Sequence, residues 1–572
     1  MKRIFEIFSV LNKKQKKNFY WVSFYKFIEA LLEVISIGSL YPLIYLIFND
    51  DLSFLKKYNI EINLINSDSR SELIIFVLSI LIIVFFIKAV FSIFSSYKSN
   101  SFVVNITKET QVKLLKKYLD QDYLFFLNRK SEKLLNNIIS ESVHYSKSQV
   151  QAIYILMYEI LKIALIFLMI LFINPFLTLI SVLVFAPLLI FFLKKVKKEL
   201  SILGKIRQHN SENMIKFATK GFNSIREILI FKNQKLFLDK FREYCKNLNA
   251  TSLKNLLWSD VPRILLEFIV VFYILSVFII AFKFTSYTLD QIFIFLSFLS
   301  VSFVRMLPST NRIIRTVQEL SFYYNVTKIV KKSFNLKDAT QQTADSRKKI
   351  DFKNIEIKNL DFSFNNKILF NNLSLKIKSN LIYGINGDSG SGKTTLFNLL
   401  IGFLKPMKGQ ILIDGKKLDF IKDNWQNNLC YIPQDLYLLE DTIEKNITLS
   451  EKKSDDLRIQ NSIKKGRLNK LVSTYSKKIK HIIKNGGIDL SGGQRQRLGI
   501  ARSIYMEKKV VFLDETTNAL DNRTEHEILS ELKETLKNKT VFVISHSKDL
   551  YKYVDKIITI KDKKVTIKNA RN

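Results

Sequence analysis

The chain divides by the rhythm of its apolar positions. In its first part, long stretches are apolar on every helical face, and polar residues gather between them. Crossing the hydrocarbon core of a bilayer takes about 20 such residues at about 1.5 Å rise each. Six stretches qualify: Asn18–Phe48, Glu72–Tyr97, Gln149–Ile173, Phe176–Leu193, Arg263–Phe284 and Leu289–Leu307. Pro175 follows Asn174 between the third and fourth, which predicts a tight hairpin there, and the fifth and sixth are joined as briefly. Connections 98–148 and 194–262 are far longer and helical in pattern, so they read as extensions of the membrane helices beyond the bilayer. Segment 50–70 is too polar to span but apolar enough to lie on the membrane surface.

From Ile350 onward the rhythm changes to short apolar strands alternating with amphipathic helices, the signature of an α/β domain. The expected organisation is a helical membrane domain over residues 1–336, a polar linker over 337–349 and an α/β domain over 350–572. Within 194–262 the bases Lys194, Lys195, Lys197, Lys198, Lys205 and Arg207 crowd together, whereas 48–71 holds only Lys56, Lys57 and Arg70. Lysine and arginine accumulate on the cytosolic side, so both termini and the α/β domain are expected inside. Lys2, Arg3, Lys13, Lys14, Lys16 and Lys17 precede the first apolar stretch and no small-residue cleavage site follows a short core, the pattern of a retained signal anchor.

Composition changes this picture little. The 572 residues include 88 basic and 51 acidic side chains, a formal charge of +37. In a soluble chain that balance suggests nucleic acid. Here basic cytosolic loops and a Lys-, Asn-, Ile- and Phe-rich composition account for it, and no nucleic-acid partner is expected. Cys245 and Cys430 stand far apart, without the spacing of a disulfide framework or a zinc site.

The candidate chemistry lies in the second part. A strand over Leu381–Ile385 runs into Gly387-Asp-Ser-Gly-Ser-Gly-Lys393-Thr394. Glycines in such a loop let backbone N–H groups curl around phosphates, and a helix beginning after it adds a favourable dipole. Lys393 is placed to reach the β- and γ-phosphates of a nucleotide and Thr394 to ligate Mg²⁺; Ser389, Gly390, Ser391, Gly392 and Thr395 complete the cradle. The run Val510-Val-Phe-Leu-Asp514-Glu515 reads as a buried strand ending in two carboxylates, which are costly to bury unless they meet a metal or do chemistry. Asp514 suits the Mg²⁺ shell and Glu515 suits a general base for water.

Leu490-Ser-Gly-Gly-Gln494, followed by Arg495-Gln-Arg497 and a helix, narrows the family. With it the chain resembles the ATP-binding cassette transporters, and its membrane half follows their exporter pattern. The resemblance implies that Phe364 stacks on adenine and that Gln434, in Tyr-Ile-Pro-Gln, senses Mg²⁺. It implies that Asp521, in Asn-Ala-Leu-Asp, lies in a loop crossing to the partner, and that His546, in Val-Ile-Ser-His, touches the γ-phosphate beside the base. Ser491, Gly492, Gly493 and Gln494 would complete the nucleotide site of a second subunit, so the expected working unit is a pair of identical chains in the bacterial inner membrane. Segment 221–241, apolar at Ile225, Ile228, Leu229 and Phe231 beside many bases, is the expected second contact between the cytosolic loops and the ATPase. The family more often has Tyr at Phe364 and Ser at Asn518, and Lys484-Asn-Gly-Gly lacks the Glu common before the signature.

Ionisable residues within spans cost about 2.5–3.5 kcal/mol each near the centre and need a partner or a role. Glu159 with Lys162, and Arg263 with Glu267, stand at helical neighbour spacing. Arg305 has no such partner in its own helix, and Arg312 lies seven residues on, on nearly the same face. Arg263, Arg305 and Arg312 are therefore candidates for an anionic substrate, or for pairing with Glu29, Glu33 or Glu159 across the bundle. The whole chain is similar to bacterial flippases of lipid-linked oligosaccharides, which implies a polyprenyl-pyrophosphate substrate; the alternative is a multidrug, lipid or peptide exporter.

Overall fold

The computed structural model describes residues 2–48, 70–173, 175–284, 288–337, 351–364, 367–449, 455–487, 489–515, 526, 529–530, 533–545 and 552–570. They form two compact units, one of Met1–Gln121 with Asn128–Asp338, the other of Asp122–Leu127 with Ala339–Asn572. Segment 50–69, expected at the membrane surface, lies outside the described residues, as does 338–350, which takes in all of the expected linker but Lys337.

The first unit is helical. After a short helix Lys2–Val10, the chain restarts at a capping box: Asn12 Oδ1 accepts from Gln15 N at 2.7 Å and Gln15 Oε1 accepts from Asn12 N at 2.9 Å, opening helix Lys13–Gly38. Helices Arg70–Leu119, Pro175–Asn223 and Gln234–Phe284 have 50, 49 and 51 residues. At 1.5 Å per residue each is about 75 Å long, more than twice the hydrocarbon thickness, so the long connections continue the spans as unbroken helix. Pro175 opens its helix, where its missing N–H costs nothing. Five helical stretches among the described residues are long and apolar enough to cross a membrane: Lys13–Ile47, Ser71–Leu119, Ser131–Phe172, Gln234–Ile280 and Ile292–Phe322. The fourth expected stretch, Phe176–Leu193, lies in helix Pro175–Asn223, of which the backbone is described there.

Among the described residues, two larger buried clusters and the small pair Leu200 and Phe322 hold these helices. One joins Phe19, Phe102, Tyr145, Val150 and Val330, and the other Ile37, Ile166, Tyr273, Phe298 and Phe303. On Arg70–Leu119 the apolar faces point outward instead, with Ile82, Phe86 and Ile93 exposed, as suits lipid contact.

The second unit has two sheets. The four-stranded sheet runs β2 (Lys367–Lys378), β1 (Asn354–Phe364), β4 (Lys408–Ile413), β5 (Lys416–Lys417), all antiparallel. The six-stranded sheet runs β10 (Lys564–Asn569), β9 (Lys556–Lys561), β3 (Ile382–Gly387), β8 (Thr540–Ile544), β7 (Val510–Asp514), β6 (Leu429–Ile432). From β9 to β6 its neighbours are parallel, so the carboxyl ends of β3, β6, β7 and β8 share one edge. Strands β7 and β8 are buried at every residue, which is why they read as continuous apolar runs. Phe512 stacks on Phe542 at 4.8 Å and Phe397 meets Phe512 edge-on at 5.0 Å, fixing helix Lys393–Ile401 against the sheet. Helix Tyr123–Leu127, from the first long connection, belongs to this unit: Tyr123 stacks on Phe403 at 5.1 Å and Leu124 packs on the core.

Candidate nucleotide site and the charged bundle interior

Ligands of open parallel sheets sit beyond the carboxyl ends of the strands, and the candidate residues converge there. β3 ends at Gly387, and the chain turns through Gly390 and Gly392 into helix Lys393–Ile401. Gly392 has φ +105°, and a Cβ there would stand 3.0 Å from the Phe370 ring. At Gly387 a Cβ would stand 2.6 Å from Ser391 Oγ and 2.7 Å from the Ile560 carbonyl. At Gly387 and Gly392 the backbone thus runs where a side chain does not fit. Ser389 and Gly390 are at the exposed tip, and Thr395 is half-buried on the helix. Lys393 is buried, and its Nζ donates to the carbonyls of Gly387 at 2.7 Å and Asp388 at 3.3 Å.

β7 brings up the carboxylates. Asp514 is buried; Tyr431 on β6 donates its hydroxyl to Oδ2 at 3.1 Å, and the Thr394 hydroxyl also bonds to it. Burial holds the Asp514 carboxyl above the usual range, Glu515 adds to that, and the Tyr431 and Thr394 hydrogen bonds and the Lys393 charge oppose it. Glu515 sits just past the strand in the left-handed region, φ +50°, with its N–H donating to the Ile544 carbonyl at 3.0 Å. Gln434, two residues beyond β6, donates to Glu515 Oε2 at 2.7 Å.

The signature segment opens helix Gly492–Met506 with a second capping box. Ser491 Oγ accepts from Gln494 N at 3.2 Å, and Gln494 Oε1 accepts from Ser491 N at 2.8 Å. Gly492 and Gly493 are its first two residues. Gly492, Arg495 and Gln496 line a cavity of about 300 Å³ together with Gln434, Asp435, Leu436 and Glu515. Phe364, at the end of β1, exposes 41% of its surface. Asp521 and His546 lie outside the described residues.

This arrangement fits a nucleoside triphosphate with magnesium. The loop offers backbone donors and Lys393, Ser391 Oγ is buried without a hydrogen-bond partner among the described residues, and Thr394 and Asp514 supply the hard oxygen ligands that Mg²⁺ prefers. The residue missed in the sequence is Tyr431. Its position three before Gln434 was visible, but its hydroxyl acts on a residue 83 positions away.

In the first unit, charges pair across helices. Glu33 forms ion pairs with Lys88 at 2.5 Å and with Arg305 at 3.9 Å. Glu159, fully buried, accepts from Arg312 at 3.0 Å and forms an ion pair with Lys162 at 3.5 Å, and Arg263 pairs with Glu267 on its own helix at 2.9 Å. The cross-bundle pairing open for Arg305 and Arg312 is the arrangement found. Both guanidinium side chains remain partly open, 43% and 62% exposed.

Taken together, the second unit is an α/β domain with a phosphate-binding loop, and the first a bundle of membrane-spanning helices. A family model described as ABC transporter transmembrane region matches residues 16–306, just over half of the chain, and one described as ABC transporter matches residues 370–518. The chain belongs to the ABC transporters.

An export ATP-binding/permease relative from Rickettsia prowazekii is 36% identical over 210 residues, 36% of each chain. The ATP-dependent lipid A-core flippase of Wigglesworthia glossinidia brevipalpis is 27% identical over 489 residues, 83% of this chain and 81% of its own. The leukotoxin translocation ATP-binding protein LktB of a Pasteurella haemolytica-like species is 35% identical over 221 residues, 38% of this chain and 31% of its own. The chain thus spans about a third of the length of the first and third relatives and about four fifths of the second. A bacterial Atm1-family ABC exporter solved with ATP bound superposes with a TM-score of 0.77 over 95% of each chain at 17% identity, which establishes the fold.

Proposed function

We propose that the chain hydrolyses ATP to drive export across the inner membrane as a pair of identical chains. Its substrate, in this reading, is an amphiphile with a phosphate-bearing headgroup, of the polyprenyl-pyrophosphate oligosaccharide type, turned from the cytosolic to the outer leaflet. The observation that carries the substrate reading is a charge imbalance. Among the described residues of this cluster, five cations, Lys26, Lys88, Lys162, Arg305 and Arg312, meet three carboxylates, Glu29, Glu33 and Glu159, leaving two positive charges in excess. Uncompensated cations in a bundle are costly, and the forked donors of Arg305 and Arg312 match phosphate oxygens better than an uncharged amphiphile. Arg263 has less support, because Glu267 already neutralises it. A relative covering most of the chain bears the name lipid A-core flippase, which favours a lipid over a toxin.

For hydrolysis, Lys393 and the loop donors bind the phosphates, and Thr394, Gln434 and Asp514 would hold Mg²⁺, which would supply charge neutralisation at the phosphates. Glu515, held by Gln434, orients and deprotonates water, with His546 as its proposed neighbour. Ser491, Gly492, Gly493 and Gln494 would serve the second chain's nucleotide, and Asp521 would lie at the junction. The exposed apolar side chains Phe222, Ile230, Phe231 and Leu236 support docking of segment 221–241 on an ATPase unit.

The test is flipping of a polyprenyl-pyrophosphate oligosaccharide in vesicles, with ATP, by the parent chain, Arg305→Ala and Arg305→Gln. Transport by the parent and loss in both variants is expected. A parent that leaves this lipid unmoved while exporting uncharged amphiphiles overturns the substrate reading.

A further inference from the structure

Away from the membrane stretches, the first unit contains a cavity of about 580 Å³, within the size range of small-molecule sites. Its wall is strongly basic, with Arg129, Lys130, Lys133, Lys216 and Lys332. Against them stand Glu132 and Glu212, and Glu212 is engaged by Lys133 at 3.7 Å. The charges of Lys130 and then Lys220 hold Lys216 below the usual lysine range, with Glu132 opposing them. Like charges crowded on one cavity wall repel one another, and a bound anion would relieve that repulsion.

The floor is ordered and polar. Asn137, only 5% exposed, donates to the Tyr118 hydroxyl at 3.1 Å, and that hydroxyl lies 2.9 Å from Ser333 Oγ. Asn137 Oδ1 is buried without a hydrogen-bond partner among the described residues. Asn137 also opens a π-helical turn, Asn137–Glu141, the kind of irregularity that recurs at binding sites.

We infer that this cavity binds a soluble, multiply phosphorylated metabolite, through residues other than those of the ATP site and of the charged bundle interior. Length argues against a lipid headgroup. Lys216 stands 23 residues beyond Leu193 in the unbroken helix Pro175–Asn223, about 35 Å past the apolar stretch, whereas the headgroup layer is only about 5–8 Å deep on each side. A ligand here would tie helix Pro175–Asn223 to helix Tyr324–Phe334, which supplies Lys332 and Ser333, and so bias the conformation of the cytosolic extensions.

The test uses the full chain with Lys393→Ala, so that the phosphate loop contributes no binding, and titrates inorganic pyrophosphate by calorimetry and by thermal shift. One saturable site per chain is expected, weakened about tenfold or more by Lys130→Ala with Lys216→Ala. The double variant should unfold no earlier than its parent without pyrophosphate, since it loses a like-charge repulsion, yet gain no stability when pyrophosphate is added. Absence of saturable binding, or equal binding by the double variant, overturns the inference. Competition between pyrophosphate and phosphatidylglycerol vesicles would assign the site to a headgroup and overturn the soluble-ligand assignment.

Discussion

Replacing Glu159 by Gln keeps the shape of the side chain and removes one charge from the bundle interior, with two consequences of opposite sign. At 3.0 Å from Arg312 and 3.5 Å from Lys162, each pair carries about 5 kcal/mol of attraction at an effective dielectric constant of about 20. Arg312 is 62% exposed, so solvent screens its share to about 1 kcal/mol. Lys162 is 8% exposed and Glu159 fully buried, and stranding a buried cation brings the whole loss to about 3 kcal/mol. With an unfolding entropy of about 2.1 cal/mol/K per residue over a unit of roughly 330 residues, that is about 4 °C in Tm. The same substitution raises the positive excess by one, so an anionic substrate should bind more tightly and show a lower KM. Thermal unfolding in detergent and ATP-driven flipping in vesicles read the two effects separately, and Glu159→Gln with Lys162→Met should recover most of the stability. A variant as stable as its parent, or one whose KM for the anionic lipid rises, would refute the reasoning.

Glu515→Gln should retain ATP binding while turnover falls about 10²–10⁴-fold, whereas Lys393→Ala weakens nucleotide affinity itself; equilibrium binding and phosphate release separate the two. Gly392→Ala, forced to φ +105° with Phe370 at 3.0 Å, should cost about 1–2 kcal/mol and lower ATP affinity, measured by thermal shift with and without nucleotide. The folded-state carboxyl of Asp514 lies above its unfolded value, so its stability contribution is full below the unfolded value and is lost as pH rises through the folded one. Since protons and Mg²⁺ compete for it, Mg²⁺-dependent ATP binding should fail on acidification at a higher pH than for an ordinary aspartate. Tyr431→Phe, removing a bond that stabilises the carboxylate, should move that failure higher still in a binding titration against pH. Mixing inactive Ser491→Arg chains with inactive Lys393→Ala chains should restore one intact site per mixed pair; ATPase activity by a strict monomer would contradict the paired arrangement.

Features confined to one element were legible in the residue order. Spans announce themselves because lipid tolerates no exposed polar backbone, so each must be a contiguous apolar helix. The phosphate loop is legible because its strand, glycines and lysine are neighbours in sequence; β3 runs to Gly387, two residues past its expected end. β7 ends at Asp514, where the change from apolar to acidic residues marks it. The basic cavity of the first unit could not be read this way, since its wall comes from 128–137, 208–216 and 329–336.

What joins distant elements came only from packing. The placement of β3 between β9 and β8 puts Gly387, Gln434, Asp514 and Glu515 on one edge, yet strand order leaves no periodic trace in a chain. Periodicity along the sixth apolar stretch shows that Arg305 lacks a partner in its own helix and cannot show Glu33, 272 residues earlier, opposite it. Tyr123 and Leu124 carry nothing that separates them from the helical extension around them, and only burial against Phe403 and its neighbours assigns them to the second unit. Sequence specifies which face of an element must be satisfied; the helix or strand that satisfies it is chosen by the tertiary structure, where shape and charge must fit at once.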